Sequence, residues 1–199
     1  PVAYQTTVQV YLCPTRPPAK LSTGDFVAAG GALSDYAASF GVHANGSNSV
    51  GAIVPLAAMG TTVTTDAAGR PSLKPGWKGQ LNFGAITDGL SNTVFFGEKH
   101  IRPNSLRGKN EDRSVFGGVN NSIRRMMGSS DVNTDQRPLM PPEAQTPALA
   151  NSPFGGPHSG VCMFVFGDGS VKSVKNTASI NTLTNLATRN DGKTITEDY

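Results

Sequence analysis

Residues 157–174, PHSGVCMFVFGDGSVKSV, set the frame for the whole chain. Val161 to Phe166 is an unbroken apolar run, short for a helix and rich in β-forming types. Gly167-Asp168-Gly169-Ser170 follows, and Asp-Gly between two strand-like runs marks a tight hairpin in which glycine supplies the positive φ. With Asp168 and Gly169 as a two-residue turn, Gly167 would pair with Ser170, Phe164 with Ser173 and Val161 with Asn176. His158 precedes Asp168 by roughly 30 Å of extended chain, at about 3.3 Å per residue. A direct His158–Asp168 contact requires the chain to fold back within Pro157–Val161, which Gly160 would ease. The simpler reading makes both ends structural, with His158 in the loop feeding the hairpin and Asp168-Gly169 in its turn.

A second well-marked stretch is FGAITDGLSNTVFFGEKH, residues 83–100. A strand is expected over Thr93–Phe96, ended by Gly97-Glu98. Asp88, Gly89, Ser91 and Asn92 form a turn dense in oxygens, which either satisfies its own backbone or takes a calcium ion. It lacks the alternating carboxylates and terminal Glu of an EF-hand loop. Thr6–Leu12 alternates enough to read as a strand stopped by Cys13-Pro14. Leu33–Phe40 fits a short helix or a strand, with Ser34 or Asp35 as a cap. Ile180, Leu183, Leu186 and Ala187 recur at helical spacing behind Ser179, a natural N-cap. Residues 41–51 and 60–80 read as polar loops, with turns at Asp66–Gly69 and Lys74–Gly76, and Trp77 anchoring the second by burial. Residues 101–155 read as a long insertion decorating the surface of a single domain over residues 1–199.

Glycine and proline supply 37 of 199 residues, and only 16% of residues are charged, against a usual ~25%. This describes a folded, loop-rich protein, and the low charge with abundant Ser, Thr and Asn suits an extracellular setting. The net charge is +3, concentrated between Glu98 and Arg125. Phe116 is the only Phe, Tyr or Trp there, so the region reads as a solvated basic loop and not as a nucleic-acid surface, which would interleave stacking rings. No apolar run is long enough to span a bilayer. Cys13 and Cys162 are the only cysteines. Cys162 reads as a buried small hydrophobe inside its strand, Cys13 as the more accessible thiol; with three histidines there is no finger-like zinc spacing.

In order along the chain, YLCP (11–14), SDYAASFG (34–41), ITDGLSNTVFFGE (86–98), PHSGVCMFVFGDGSV (157–171) and LATRNDG (186–192) resemble the bacterial prepilin-like family. Its C-terminal region is called the prepilin-type processing-associated H-x(9)-DG domain. His158, Asp168 and Gly169 occupy its name-giving positions. Family precursors carry a type IV prepilin leader and a long hydrophobic N-terminal helix that anchors the protein in the membrane and packs in assemblies. The resemblance implies a chain that begins downstream of that helix, with the partner of Cys13 on the preceding segment. It also implies homo-oligomers or filaments, with other pilin-like subunits or secretion machinery as partners, at the cell surface.

No Gly-x-Ser-x-Gly elbow, His-Glu-x-x-His pair, Walker loop or dinucleotide glycine motif is present. The expectation is therefore an α+β, mostly antiparallel, pilin-like domain acting without catalysis and without a cofactor. The alternative is a secreted binding module for a glycan, a solute or calcium.

Overall fold

The computed structural model describes residues 3–17, 21–22, 30–42, 50–53, 63–65, 71–73, 81–106, 110–117, 123–130, 133–144, 152–193, 195 and 199. The turns expected at Asp66–Gly69 and Lys74–Gly76, and Trp77, lie outside the described residues. The fold is α+β, built on a mostly antiparallel sheet.

The central sheet takes β1 (Tyr36–Ser39), β4 (Val94–Glu98), β5 (Arg124–Arg125), β8 (Val161–Phe166) and β9 (Val171–Lys175) in the order β5-β1-β4-β8-β9. Only the β1–β5 pairing is parallel. Two small hairpins stand apart, β2–β3 (Val63–Thr65 with Pro71–Leu73) and β6–β7 (Gly128–Ser130 with Asn133–Arg137). The first lies where a polar loop was expected. Among the described residues no helix is long and apolar enough to cross a membrane.

The hairpin forms as expected, with its register displaced by one residue. Val165 pairs with Val171, Cys162 with Val174 and Val161 with Lys175. The loop has three residues, not two: Gly169 N–H donates to the Phe166 carbonyl at 3.0 Å, and Gly169 takes φ +84°. Burial explains the choice. Cys162, Phe164 and Phe166 all face the core, and this register sets Val174 opposite Cys162, where it is fully buried. A one-residue slip would turn β9 over and expose Val174.

The helix α1 (Ile180–Ala187) starts where the sequence indicated: Ser179 Oγ accepts the Thr182 N–H at 3.1 Å. Leu183, Leu186 and Ala187 bury completely with Cys162, Phe164, Phe166 and Val174. Each fully buried large side chain is worth about 1.5–3 kcal/mol. Phe154 meets Phe164 edge to face at 5.1 Å. The hairpin β6–β7 closes the same core, and Thr184 Oγ1 accepts the Ser129 N–H at 3.0 Å.

Strand β4 carries a bulge. Val94 pairs with Phe166, but Phe96 pairs with Val165 and Gly97 with Phe164. The extra residue, Phe95, reverses the alternation beyond it, so Val94 is buried, Phe96 is exposed and Gly97 is buried. Gly97 does not end the strand as its sequence position suggests. It lies under the Phe164 ring, which would approach a Cβ at that position to 2.4 Å.

Two expectations fail locally, and an open alternative closes between them. Residues 6–12 form no strand; the segment runs through short 3-10 turns at Ala3–Gln5 and Gln9–Tyr11. Neither alternation of its side chains is buried, so no face pins it to the sheet. It is tied by its carbonyls instead, with Tyr4 O accepting from Ala32 N–H and Tyr11 O from Asp35 N–H. Leu33–Phe40 resolves as strand, and Ser34 caps no helix: its hydroxyl accepts from Tyr36 N–H at 3.1 Å. Residues 101–155 are not mere decoration, for β5 enters the central sheet and Met126, Met127, Leu139 and Met140 are buried.

Nor do the described residues of 98–125 form a solvated basic loop, since Lys99, Arg124 and Arg125 are all buried. The Arg125 guanidinium donates to the carbonyls of Arg124 and Glu111 at 2.8 Å and of His100 at 3.4 Å. Arg16 donates to the Lys99 carbonyl and pairs with buried Asp35 at 3.7 Å. Glu111 accepts from Arg102 at its backbone N–H (3.0 Å) and at Nε and Nη2 (2.8 and 3.1 Å). Burial pushes Lys99 down to about 7 and Arg125 down to about 9. Arg16, Arg125 and Glu111 grip the chain at 99, 100 and 102 as it leaves β4, which explains why these three charges are interior. Guanidinium and carboxylate groups can be buried where carbonyls and partners satisfy them.

Three substitutions have expected outcomes in denaturation experiments. Gly169→Ala, with open space around it but φ +84°, should cost about 1 kcal/mol for the left-handed conformation. Gly97→Ala should cost more, about 1–3 kcal/mol, by overpacking Phe164. Equal losses would discount the Gly97–Phe164 contact. For Glu111, burial raises the carboxyl pKa, but the Arg102 hydrogen bonds outweigh it and the net shift is downward. A depressed carboxyl stabilises the fold above its unfolded pKa near 4.5, and that contribution disappears as pH falls through the folded value. Glu111→Gln should therefore cost roughly 1.5–3 kcal/mol at pH 7, and its difference from the parent should shrink on acidification below about 4.5. A pH-independent difference would rule out the ionised pair as its source.

Candidate functional site

Beyond the bulge, the outward phase of β4 that exposes Phe96 also carries Glu98. Glu98 is nevertheless 1% exposed, because the N-terminal segment and the loop before β8 fold over it. Its Oε2 accepts the Met163 N–H at 2.9 Å. Gly156 lies against the same carboxylate, and a Cβ there would come within 2.1 Å of Oε2. Only glycine lets the 155–160 loop pass so close, and that passage delivers His158. Its Nε2 stands 3.1 Å from Glu98 Oε1.

Cys13 arrives from the opposite side. Its N–H donates to Asp35 Oδ2 at 2.8 Å, and its Sγ lies 3.9 Å from His158 Nε2. Cys13 is 4% exposed, so the reading of an accessible thiol is corrected: Asp35, itself paired with Arg16, draws the Cys13–Arg16 turn inward. One ligand-capable atom from each of Cys13, Glu98 and His158 lies within 4.8 Å of the others. His158 is the solvent-facing member, with a third of its side chain exposed.

The three converge at a cavity of about 380 Å³, whose apolar walls include Val10, Tyr36, Phe96, Met163, Val165 and Val171. Tyr36 has its phenol pushed up to about 12, first by burial and then by the nearby side chains of Cys13, Glu98 and Asp35. Cys162 belongs to the other face of the sheet, in the core, where burial drives its thiol well above the usual range.

The other sequence-marked residues take separate places. Asp168 holds the hairpin turn, its Oδ1 accepting from the Ser170 N–H at 2.9 Å and the Ser170 hydroxyl at 2.7 Å. The Asp88 carboxylate binds the C-terminal loop, Oδ2 accepting the Asp191 N–H at 2.7 Å and Oδ1 the Gly192 N–H at 2.8 Å. Asn92 Nδ2 donates to the Asp88 carbonyl, and the Ser91 carbonyl accepts from Lys172. Gly89 supplies φ +95° for the turn. His158 therefore has a carboxylate partner, but it is Glu98 and not Asp168. Sequence reasoning took Glu98 for a strand end. The available signal was a carboxylate placed directly after an apolar run, where a charge needs a partner.

No curated protein and no solved structure matches the chain. A family model described as a protein of unknown function (DUF1559) matches residues 1–181. That span holds Cys13 and Glu98 together with His158 and Asp168-Gly169, which give the motif its name. The chain belongs to the DUF1559 family, the prepilin-like H-x(9)-DG proteins.

Proposed function

We propose that this chain is a non-catalytic structural subunit, pilin- or pseudopilin-like, that acts at the cell surface by assembling with copies of itself or with related subunits. One observation carries the reading beyond family membership. Val10, Phe96 and Val171, at 76%, 44% and 62% exposure, share the rim of one cavity on the outer sheet face. Exposed apolar groups gathered at one place mark an interaction surface more often than chance exposure does. A domain that works by association needs such a surface and no reaction centre.

A second reading, a secreted binding module, is favoured by the cavity itself, which has a polar floor and apolar walls. Electron microscopy of cell-derived native protein separates the two. Filaments or short pseudopilus-like rods are expected, and Phe96→Ser with Val171→Ser should lower the filament yield several-fold while the circular dichroism spectrum is retained. Discrete particles in the native material, unchanged by the double substitution, would favour the binding module.

A further inference from the structure

Cys13, Glu98 and His158 come from three distant parts of the chain, yet their donor atoms meet in one small volume. Such a trio admits three arrangements: a catalytic relay, a simple ion pair beside a thiol, or a ligand set. The geometry speaks against a relay. A relay needs the carboxylate on one ring nitrogen and the nucleophile on the other, so that the imidazole can take a proton at one side while held at the other. Here the carboxylate and the sulfur approach the same atom, His158 Nε2. A nitrogen that donates its proton to Glu98 has no lone pair left for the thiol.

Convergence on one nitrogen is what a shared central ion requires. With a metal bound at about 2.0–2.1 Å from nitrogen, 2.0–2.2 Å from oxygen and 2.3 Å from sulfur, tetrahedral ligands stand about 3.4 Å (N···O) and 3.6 Å (N···S) apart. The observed separations are 3.1 and 3.9 Å, a few tenths of an ångström from those values. The surrounding protein holds the ligands as well. Met163 N–H occupies Glu98 Oε2 and leaves Oε1 for the site, while Asp35 fixes the Cys13 backbone.

We propose that Cys13, Glu98 and His158 bind a zinc-class divalent cation, with its remaining coordination position facing the apolar cavity. The donor set selects the class. Calcium takes six to eight oxygens, and here a single carboxylate stands among sulfur and nitrogen. Copper(I) prefers soft sulfur and imidazole donors, which the carboxylate is not. One thiolate, one imidazole and one carboxylate suit zinc(II), and three protein ligands leave a fourth place open. On binding, the Cys13 thiol forms its sulfur–metal bond and its proton passes to solvent, and His158 offers the Nε2 lone pair, the proton that Nε2 shared with Glu98 being released so that the neutral ring keeps its proton on Nδ1. The bound ion would join the N-terminal segment, β4 and the loop before β8 through one atom, whichever reading of overall function holds.

Cobalt(II) serves as the probe, titrated anaerobically into the reduced, metal-stripped chain, with zinc competing in a second titration. One equivalent is expected, with the intense near-ultraviolet charge-transfer band of a thiolate ligand and its displacement by zinc. Cys13→Ser should abolish the band. His158→Gln, at the partly exposed member, should weaken binding beyond the about 10–100-fold typical of losing a second-layer partner, with its circular dichroism spectrum unchanged. Cys162→Ala should leave both band and stoichiometry intact. Binding below one equivalent, a spectrum without the thiolate band, or a band lost in Cys162→Ala and kept in Cys13→Ser would each overturn the assignment.

Discussion

The contact between Gly97 and the Phe164 ring constrains both faces of the sheet. Phe164 must reach the core to meet Phe154 and α1, and it crosses over β4 only where that strand has no side chain. Fixing Gly97 inward forces the extra residue at Phe95, because Val94 is inward too and two inward residues three apart cannot both hold in a regular strand. Everything after the bulge inherits the reversed phase. Phe96 becomes an exposed ring, and Glu98 is presented on the face away from the helix. The outer surface is thus a by-product of how the inner one packs.

A carboxylate placed on that face would ordinarily remain in water. Glu98 instead lies beneath two loops, and the loss of hydration is met locally by the Met163 N–H and by His158. The neighbouring residues follow the same rule with more charges. Lys99, His100 and Arg102 each have a backbone group gripped by a buried charged side chain, so beyond the Lys99–Phe154 bridge the chain is held by ionic and polar side-chain contacts. Removing one partner from such a layer leaves another charge buried alone, which makes the layer selective for one path of the chain even where its net stabilisation is small.

The legibility of the sequence followed the range of the interactions involved. The hairpin at 161–175 and the helix with its Ser179 cap depend on neighbours a few residues away, and their apolar spacing announced them. The loop length at Gly167–Gly169 depended on whether Val174 or Ser173 would be buried beneath α1, a contact that local turn preference does not contain. The residues 6–12 alternated like a strand but found no partner, since alternation specifies a strand only when one side has something to cover it. The charge cluster at 98–125 was misread because charge density says nothing about which carbonyls lie within reach. His158 stood out as the motif histidine. Its partner did not, because Glu98 joins it through a bulge and a glycine at 156 whose effects appear only once the sheet is assembled.

The same history explains why the outer face is more than a patch of exposed side chains. Val10 and Cys13 sit on a segment whose ties to the body include hydrogen bonds from Tyr4 to Ala32, from Tyr11 and Cys13 to residue 35 and from Arg16 to Lys99, together with the Arg16–Asp35 pair. Phe96 and Val171 sit on the rigid sheet. The shape of the rim between them depends on how firmly the segment is attached, and Cys13, beside His158 and Glu98, lies at the point of attachment. The hydrogen bonds are worth about 0.5–1.5 kcal/mol each, and the buried Arg16–Asp35 pair adds a link whose rupture would strand a charge. Any further link at Cys13 would therefore act on the exposed face through the segment, without touching Phe96 or Val171.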